Sequence, residues 1–305
     1  STLDLLQGLS CSVGLRYDYE HARCDFSKVQ QPLNGNGETK SLEQFNRSLH
    51  FGQFTPRFSM QYLSSHNQLF YASVSKGYKA GGFNVSFLNN DDYLYSPEYN
   101  WNYEIGTKLS FLNNRLSADL SLFYIDWRNQ QITNTIPTVG NVIRNAGRSR
   151  NKGIEASFQA RPTKSWVMYM NYGYTDARFV HYQKEERGIL KDYEGNYLPM
   201  VPRHTFSLTT GYSFYDICSW IDRLTLNAGV SVTGPIYWYE DNQAKQSPYA
   251  LVNLRISINK GCFTWEAWSK NLTNTDYLSY YFVTSKAYAQ KGKPITLGTS
   301  VSISL

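Results

Sequence analysis

Five histidines, four cysteines and 24 acidic side chains are the groups in this 305-residue chain that could hold a metal or move a proton. His21, His50, His66, His181 and His204 contain no HxxxH or HExxH pair, so no zinc-type site is encoded locally. His21 lies near Asp25, and His181 near Asp176, which would suit a general base beside a nucleophile. No nucleophile motif accompanies either pair, and an enzyme is not expected. Gly77 and Gly82 have the spacing of the outer glycines of a phosphate loop. Phe83 and Asn84 follow, where that loop needs Lys and then Ser or Thr. Cys11, Cys24, Cys218 and Cys262 form no CxxC pair, which predicts free thiols. Asn271-Leu272-Thr273 fits a glycosylation pattern but reads better as a strand end and turn. No metal and no cofactor is implied.

Two segments are better equipped for binding. Residues 78–97 carry Phe83, Phe87, Tyr93 and Tyr95 with Asp91 and Asp92. Residues 235–246 carry Tyr237, Trp238 and Tyr239 beside Glu240 and Asp241. Aromatic rings with a few polar groups suit a bulky, partly apolar chelate. The competing reading is that the rings pack loop against loop or join an interfacial girdle.

The elements that position these segments are strands. Hydrophobic residues make up 41% and charged residues 18%, so a disordered chain is excluded. No 18-residue apolar run occurs, and mean hydropathy is −0.48, which excludes a helical membrane protein but not a membrane barrel. In a barrel only alternate residues meet lipid. The 25 Tyr, 16 Phe and 7 Trp fit rings placed where hydrocarbon gives way to head groups. The net charge of +6 is spread along the chain, with no basic block for a nucleic acid.

Period-two patterning predicts about twelve strands, near 9–20, 45–63, 68–77, 98–111, 115–129, 141–161, 165–179, 203–214, 222–234, 247–259, 262–272 and 294–305. The last is the cleanest: Ile295, Leu297, Val301, Ile303 and Leu305 face lipid, opposite Thr296, Gly298, Ser300, Ser302 and Ser304. Short and long connections alternate. That order suits an all-β, antiparallel, up-and-down transmembrane barrel with one plain and one elaborated rim. A Greek-key sandwich has no reason to keep it. Arg16, Asp18, Glu98, Glu104 and Lys108 share faces with polar residues and are expected to face the lumen. In 45–63 the apolar parity changes between Leu49 or Phe51 and Phe54, Phe58, Met60 and Tyr62, which predicts a bulge near Gly52.

Several stretches resemble the C-terminal half of the barrel of TonB-dependent outer-membrane receptors. They are Gly14-Leu15-Arg16-Tyr17-Asp18, the run from Tyr71 to Asn84, Tyr103-Glu104-Ile105-Gly106-Thr107-Lys108 and Asn113-Asn114-Arg115-Leu116. Gly153-Ile154-Glu155, Pro202-Arg203-His204, Lys270-Asn271-Leu272-Thr273-Asn274 and the terminal strand follow in the same order. The resemblance implies a transporter in the bacterial outer membrane that takes up a scarce small molecule such as an iron chelate, haem or cobalamin. It is energised by the inner-membrane TonB system through an N-terminal plug. Such receptors have 22 strands, so residues 1–305 are expected to be the C-terminal part of the barrel domain. The plug and earlier strands would come from the same or another chain. These barrels usually end in an aromatic residue, whereas this chain ends in Leu305. The alternatives are a passive twelve-stranded pore or structural barrel, and a barrel hydrolase.

Overall fold

A computed structural model describes residues 2–31, 38–87, 92–136, 139–145, 147–186, 189–283 and 286–304. The chain begins as an antiparallel meander of β1 (Thr2–Leu6), β2 (Leu9–Gln30), β3 (Lys40–Leu63) and β4 (Leu69–Lys79). A small hairpin, β5 (Gly82–Phe83) with β6 (Leu94–Tyr95), leaves the wall before β7 (Glu98–Phe111) and β8 (Leu116–Arg128) return to it. The cycle repeats with hairpin β9 (Gln131–Ile136) and β10 (Gly140–Asn145), then wall strands β11 (Arg148–Ala160) and β12 (Trp166–His181). Hairpin β13 (Gln183–Glu186) and β14 (Ile189–Asp192) precedes β15 (His204–Cys218) and β16 (Ile221–Thr233). Hairpin β17 (Ile236–Tyr237) and β18 (Lys245–Gln246) precedes β19 (Tyr249–Lys260) and β20 (Phe263–Lys270). Hairpin β21 (Leu278–Val283) and β22 (Ala287–Lys291) leads to the last wall strand, β23 (Thr296–Ile303).

The wall is one 13-stranded antiparallel sheet in strict neighbour order. The count exceeds the expected twelve because of β1: its five residues alternate only over Thr2–Leu5 before Leu6 breaks the pattern, too short a run to read as a strand. Among the described residues β1 and β23 are not paired with each other, so the sheet stays open. The expected single strand at 141–161 is instead β10 followed by β11, split after Asn145. The expected connection at 21–44 is largely strand, because β2 and β3 continue through it. The four cysteines are free. Leu305 lies outside the described residues.

Rows of directly paired residues define the two faces. One row reads Cys11, Met60, Ala72, Ile105, Leu122, Ile154 and Tyr174 across seven strands. Another reads Phe214, Leu224, Ile258, Trp265 and Val301. These apolar rows make the outer, lipid-type face, and Leu297, Val301 and Ile303 stand 57–71% exposed on it. The opposite face is polar: Tyr71, Gly106, Ser121, Glu155, Gly173, Thr205 and Thr233 form one row. There Tyr71 lies flat across Gly106 and donates 2.6 Å to Glu104. A Cβ at Gly106 would stand 2.6 Å from that ring and 2.7 Å from the Leu120 carbonyl oxygen, so this register requires glycine.

The predicted bulge near Gly52 is not there. Pairing of β2 with β3 runs without a shift from Leu9–Tyr62 to Lys28–Glu43. The apolar residues change faces because the surroundings change. Below Gly52, Tyr17, Phe54, Phe58 and Met60 share the apolar outer face. Above it the outer face carries His21, His50, Arg23 and Ser48, while Phe26, Phe45 and Phe51 turn inward onto loops. The parity switch marks where the hairpin leaves the apolar layer. Pro56 stands just past Arg57–Ser75, the end of the β3–β4 ladder, where a missing N–H is tolerated.

Candidate functional site

The long connections fold back over the inner face at one rim and build the best-packed part of the molecule. Ala177 and Phe179 of β12 pack with Tyr182, Tyr193 and Leu198, and Ile132 of β9 and Val201 rest against them. Phe179, Val142 and Ser149 are almost fully buried. Among the described residues the buried hydrophobic cluster therefore lies at the mouth. The rest of the wall has lipid-type residues on one side and polar residues on the other.

The segment between β4 and β7 is clamped there by side chains. Asn84 donates to the Asp92 carbonyl at 2.6 Å and to the Ile143 carbonyl at 2.8 Å, and accepts from the Ile143 amide at 2.8 Å. Arg144 makes a two-pronged bond to the Asp92 carboxylate at 2.7 and 2.6 Å. The hydrogen bonds to Asp92 hold the Arg144 guanidinium above its ordinary pKa against the opposing effect of burial. Gln131 donates to the carbonyls of Ala80 and Ser96, and Asn145 bonds both the amide and the carbonyl of Ser96. Gly81 and Gly82 permit this close approach rather than an unusual backbone turn. A Cβ at Gly81 would stand 2.4 Å from the Tyr95 carbonyl oxygen, and one at Gly82 would stand 2.6 Å from the Tyr95 hydroxyl.

The aromatic candidates fall into two packed groups. Phe87 lies 5.1 Å from Phe26, and Tyr93 lies 5.2 Å from Phe45 with the Arg47 guanidinium over its ring. Phe83 pairs with Leu94, and Tyr95 covers Gly82. Trp238 is buried and meets Tyr280 and Tyr281, while the Tyr239 hydroxyl accepts from the Val283 amide at 2.6 Å. Burial pushes the Tyr239 phenol up from its ordinary pKa. Tyr237 stacks on Tyr197, which in turn lies under the Arg178 guanidinium on the outer side of β12. Asp91 lies outside the described residues.

The residues expected in the lumen share the polar face, with varied partners. Arg16 pairs with Asp18 at 2.5 Å, and Lys108 faces Asp119 at 3.9 Å. Glu104 accepts from Tyr71, as above. Glu98 is buried and accepts from the Gln131 amide, so it anchors a loop rather than lining open space. His21 stacks on His50 at 4.5 Å, and Tyr19 bonds His50 at 2.8 Å. No group of three or more metal-ligating side chains occurs among the described residues.

Sequence reasoning missed one aromatic face. Tyr280, Phe282 and Tyr288 lie on hairpin β21–β22, and Phe282 stacks on Tyr288 at 5.0 Å. All three are 38–48% exposed, unlike Trp238. The alternation of Leu278, Tyr280 and Phe282 against Ser279 and Tyr281 was the available signal. It was hidden inside a segment read as loop.

An open antiparallel wall with an apolar outer face, plain turns at one rim and packed hairpins at the other defines a part of an outer-membrane β-barrel. The chain belongs to the family described as TonB dependent receptor-like, beta-barrel, whose pattern matches residues 2–274. The pesticin receptor of Yersinia pestis is 24% identical over 303 residues, covering 95% of this chain and 40% of that protein. The siderophore receptor PiuA of Acinetobacter baumannii is 26% identical over 241 residues, 73% of this chain and 30% of that protein. The crystal structure of the ferric yersiniabactin uptake receptor FyuA from Yersinia pestis matches with a TM-score of 0.81 at 21% identity. That match covers 99% of this chain and 44% of the FyuA chain. The chain thus spans 30–40% of the length of these curated relatives. The family places it in the bacterial outer membrane.

Proposed function

We propose that these strands are the C-terminal part of a receptor barrel that takes up a scarce small molecule, with an iron chelate as the first substrate to test. The observation that carries this reading is the family match over residues 2–274 on a wall whose edges are both open. An open edge in lipid leaves backbone groups unsatisfied at several kcal/mol each, on the order expected for apolar surroundings. Further strands must therefore complete the wall, on the same or another chain, around a plug that couples to the TonB system. A passive pore does not need clamped hairpins over its mouth. No arrangement of His21 or His181 favours hydrolysis, and we read the protein as a transporter rather than an enzyme.

Within this reading the candidate rings divide by role. Phe87, Tyr93, Trp238 and Tyr239 hold the hairpins in place, Phe83 and Tyr95 seat the β5–β6 turn, and Tyr237 braces the outer side. The exposed face of Tyr280, Phe282 and Tyr288 is the better surface for a chelate, because its rings are open while its backbone is fixed by pairing. The test is uptake of radiolabelled ferric siderophores by cells that carry the complete protein, with and without energy coupling. Loss of uptake on deleting the locus, and weaker binding of the chelate by the triple variant Tyr280→Ser/Phe282→Ser/Tyr288→Ser, are expected. Uptake of no chelate, or a passive leak that survives removal of energy coupling, would overturn the reading.

A further inference from the structure

The outer face changes character just above the apolar rows. Counting upward from Leu116, about 9–11 residues cross a bilayer as a tilted strand, which ends the span between Tyr124 and Asp126. At that height the paired row reads Lys76, Trp101, Asp126, Arg150 and Arg178. The row beneath it reads Tyr103, Tyr124, Lys152 and Asp176. These side chains point away from the lumen, since their neighbours Ser149, Ala177 and Phe179 are buried under the hairpins on the other face.

The charges there do not balance. Asp126 is already held by Arg128 and Arg148, at 3.1 and 2.6 Å, and Asp176 by Arg178 at 2.8 Å. Arg150 and Lys152 are exposed, and among the described residues neither makes an ion pair or a side-chain hydrogen bond. They stand on one strand, two residues apart, directly above Ile154, which is 43% exposed on the lipid face. Two free cations at the edge of an apolar band, flanked by Trp101, Tyr103 and Tyr124, are complementary to phosphate carried at head-group depth. In solvent alone they would gain nothing from this placement.

We propose that the outward face of β7, β8, β11 and β12, centred on Arg150 and Lys152, binds the phosphates of an anionic phosphorylated lipid in the outer leaflet. The proposal rests on the wall spanning the outer membrane and is independent of which ligand is transported. Its test reads lipid retention rather than uptake, so the two readings fail separately. The complete protein, purified in detergent, is titrated with lipopolysaccharide or with its enzymatically dephosphorylated form, and bound lipid is counted by native mass spectrometry. Each cation near a charged surface contributes enough for about a 5-fold change, so Arg150→Gln/Lys152→Gln should bind the phosphorylated form about 25-fold more weakly. Arg150→Lys/Lys152→Arg, which keeps both charges, should bind like the parent. Lys108→Gln, which removes a cation from the inner face, should also leave binding unchanged. Equal binding by the parent and the charge-removed pair would overturn the proposal. So would equal binding of the dephosphorylated lipid, or an equal loss in Lys108→Gln.

Discussion

Replacing Arg144 by Met tests whether the mouth is held by its polar clamp or only by its rings. The Asp92 carboxylate is 9% exposed and the Arg144 side chain 29%. Losing one partner of a fully buried pair costs about 3–5 kcal/mol, because the other charge is left unpaired. Arg144 is nearly one-third open to solvent, which discounts the figure to about 2–3 kcal/mol. The cost falls on a local unit, since the Asn84 amide bonds the Tyr93 carbonyl and the Ile143 amide bonds Asn84. Hydrogen exchange at these two amides, measured on the complete protein, should quicken by about 30- to 150-fold, with wall amides such as those of β8 unchanged. The double variant Asp92→Leu/Arg144→Met should recover much of the protection, because it removes the buried charge as well as its partner. Wild-type exchange in Arg144→Met alone would refute the clamp. Faster exchange in the wall as well would refute its locality.

Gly106→Ala should destabilise the wall by about 2–4 kcal/mol, since the new methyl meets a ladder carbonyl and displaces Tyr71 from Glu104; thermal unfolding in detergent measures it. Val301→Arg on the lipid face should cost about 2–4 kcal/mol if the site lies near the bilayer midplane, whereas Ser300→Arg on the opposite face should be tolerated; refolding into vesicles compares them. The Asp192 carboxyl is lowered by the Glu194 amide first, then by Gln183. A lowered folded-state pKa gives stability that is present above the ordinary carboxylate pKa and lost as pH falls through the folded value. Protection of the β13–β14 amides, taken relative to their intrinsic exchange rate at each pH, should therefore hold at pH 5 and fall only below about pH 4, the ordinary carboxylate range. An unchanged profile in Asp192→Asn would count against that account.

The wall was legible in the sequence because its physics is local. Period two places each residue on one face or the other without reference to its neighbour, so Leu297, Val301 and Ile303 could be assigned from the alternation alone, whereas Ile295 lies just before the strand. Connection lengths then fixed the neighbour order. The same reasoning failed where a residue's face depends on what lies opposite. The switch at Gly52 was visible as a parity change, but only the tertiary structure showed that the strands run on unbroken while the apolar side moves from the outer face to the packed loops. β1 was too short a run to read as a strand.

The aromatic segments show the same limit. Composition marked Phe87, Tyr93, Trp238 and Tyr239 as rings at the mouth. It could not say that they would be used on Phe26, Phe45, Tyr281 and the Val283 amide, partners up to 61 residues away in Phe87–Phe26. Nor could it separate Arg150 and Lys152, left free, from Arg144 and Arg148, taken by carboxylates. Alternation is written into adjacent residues and survives in any register. Which charge is paired, and which ring is open, depends on distant segments meeting, and the fold alone decides that.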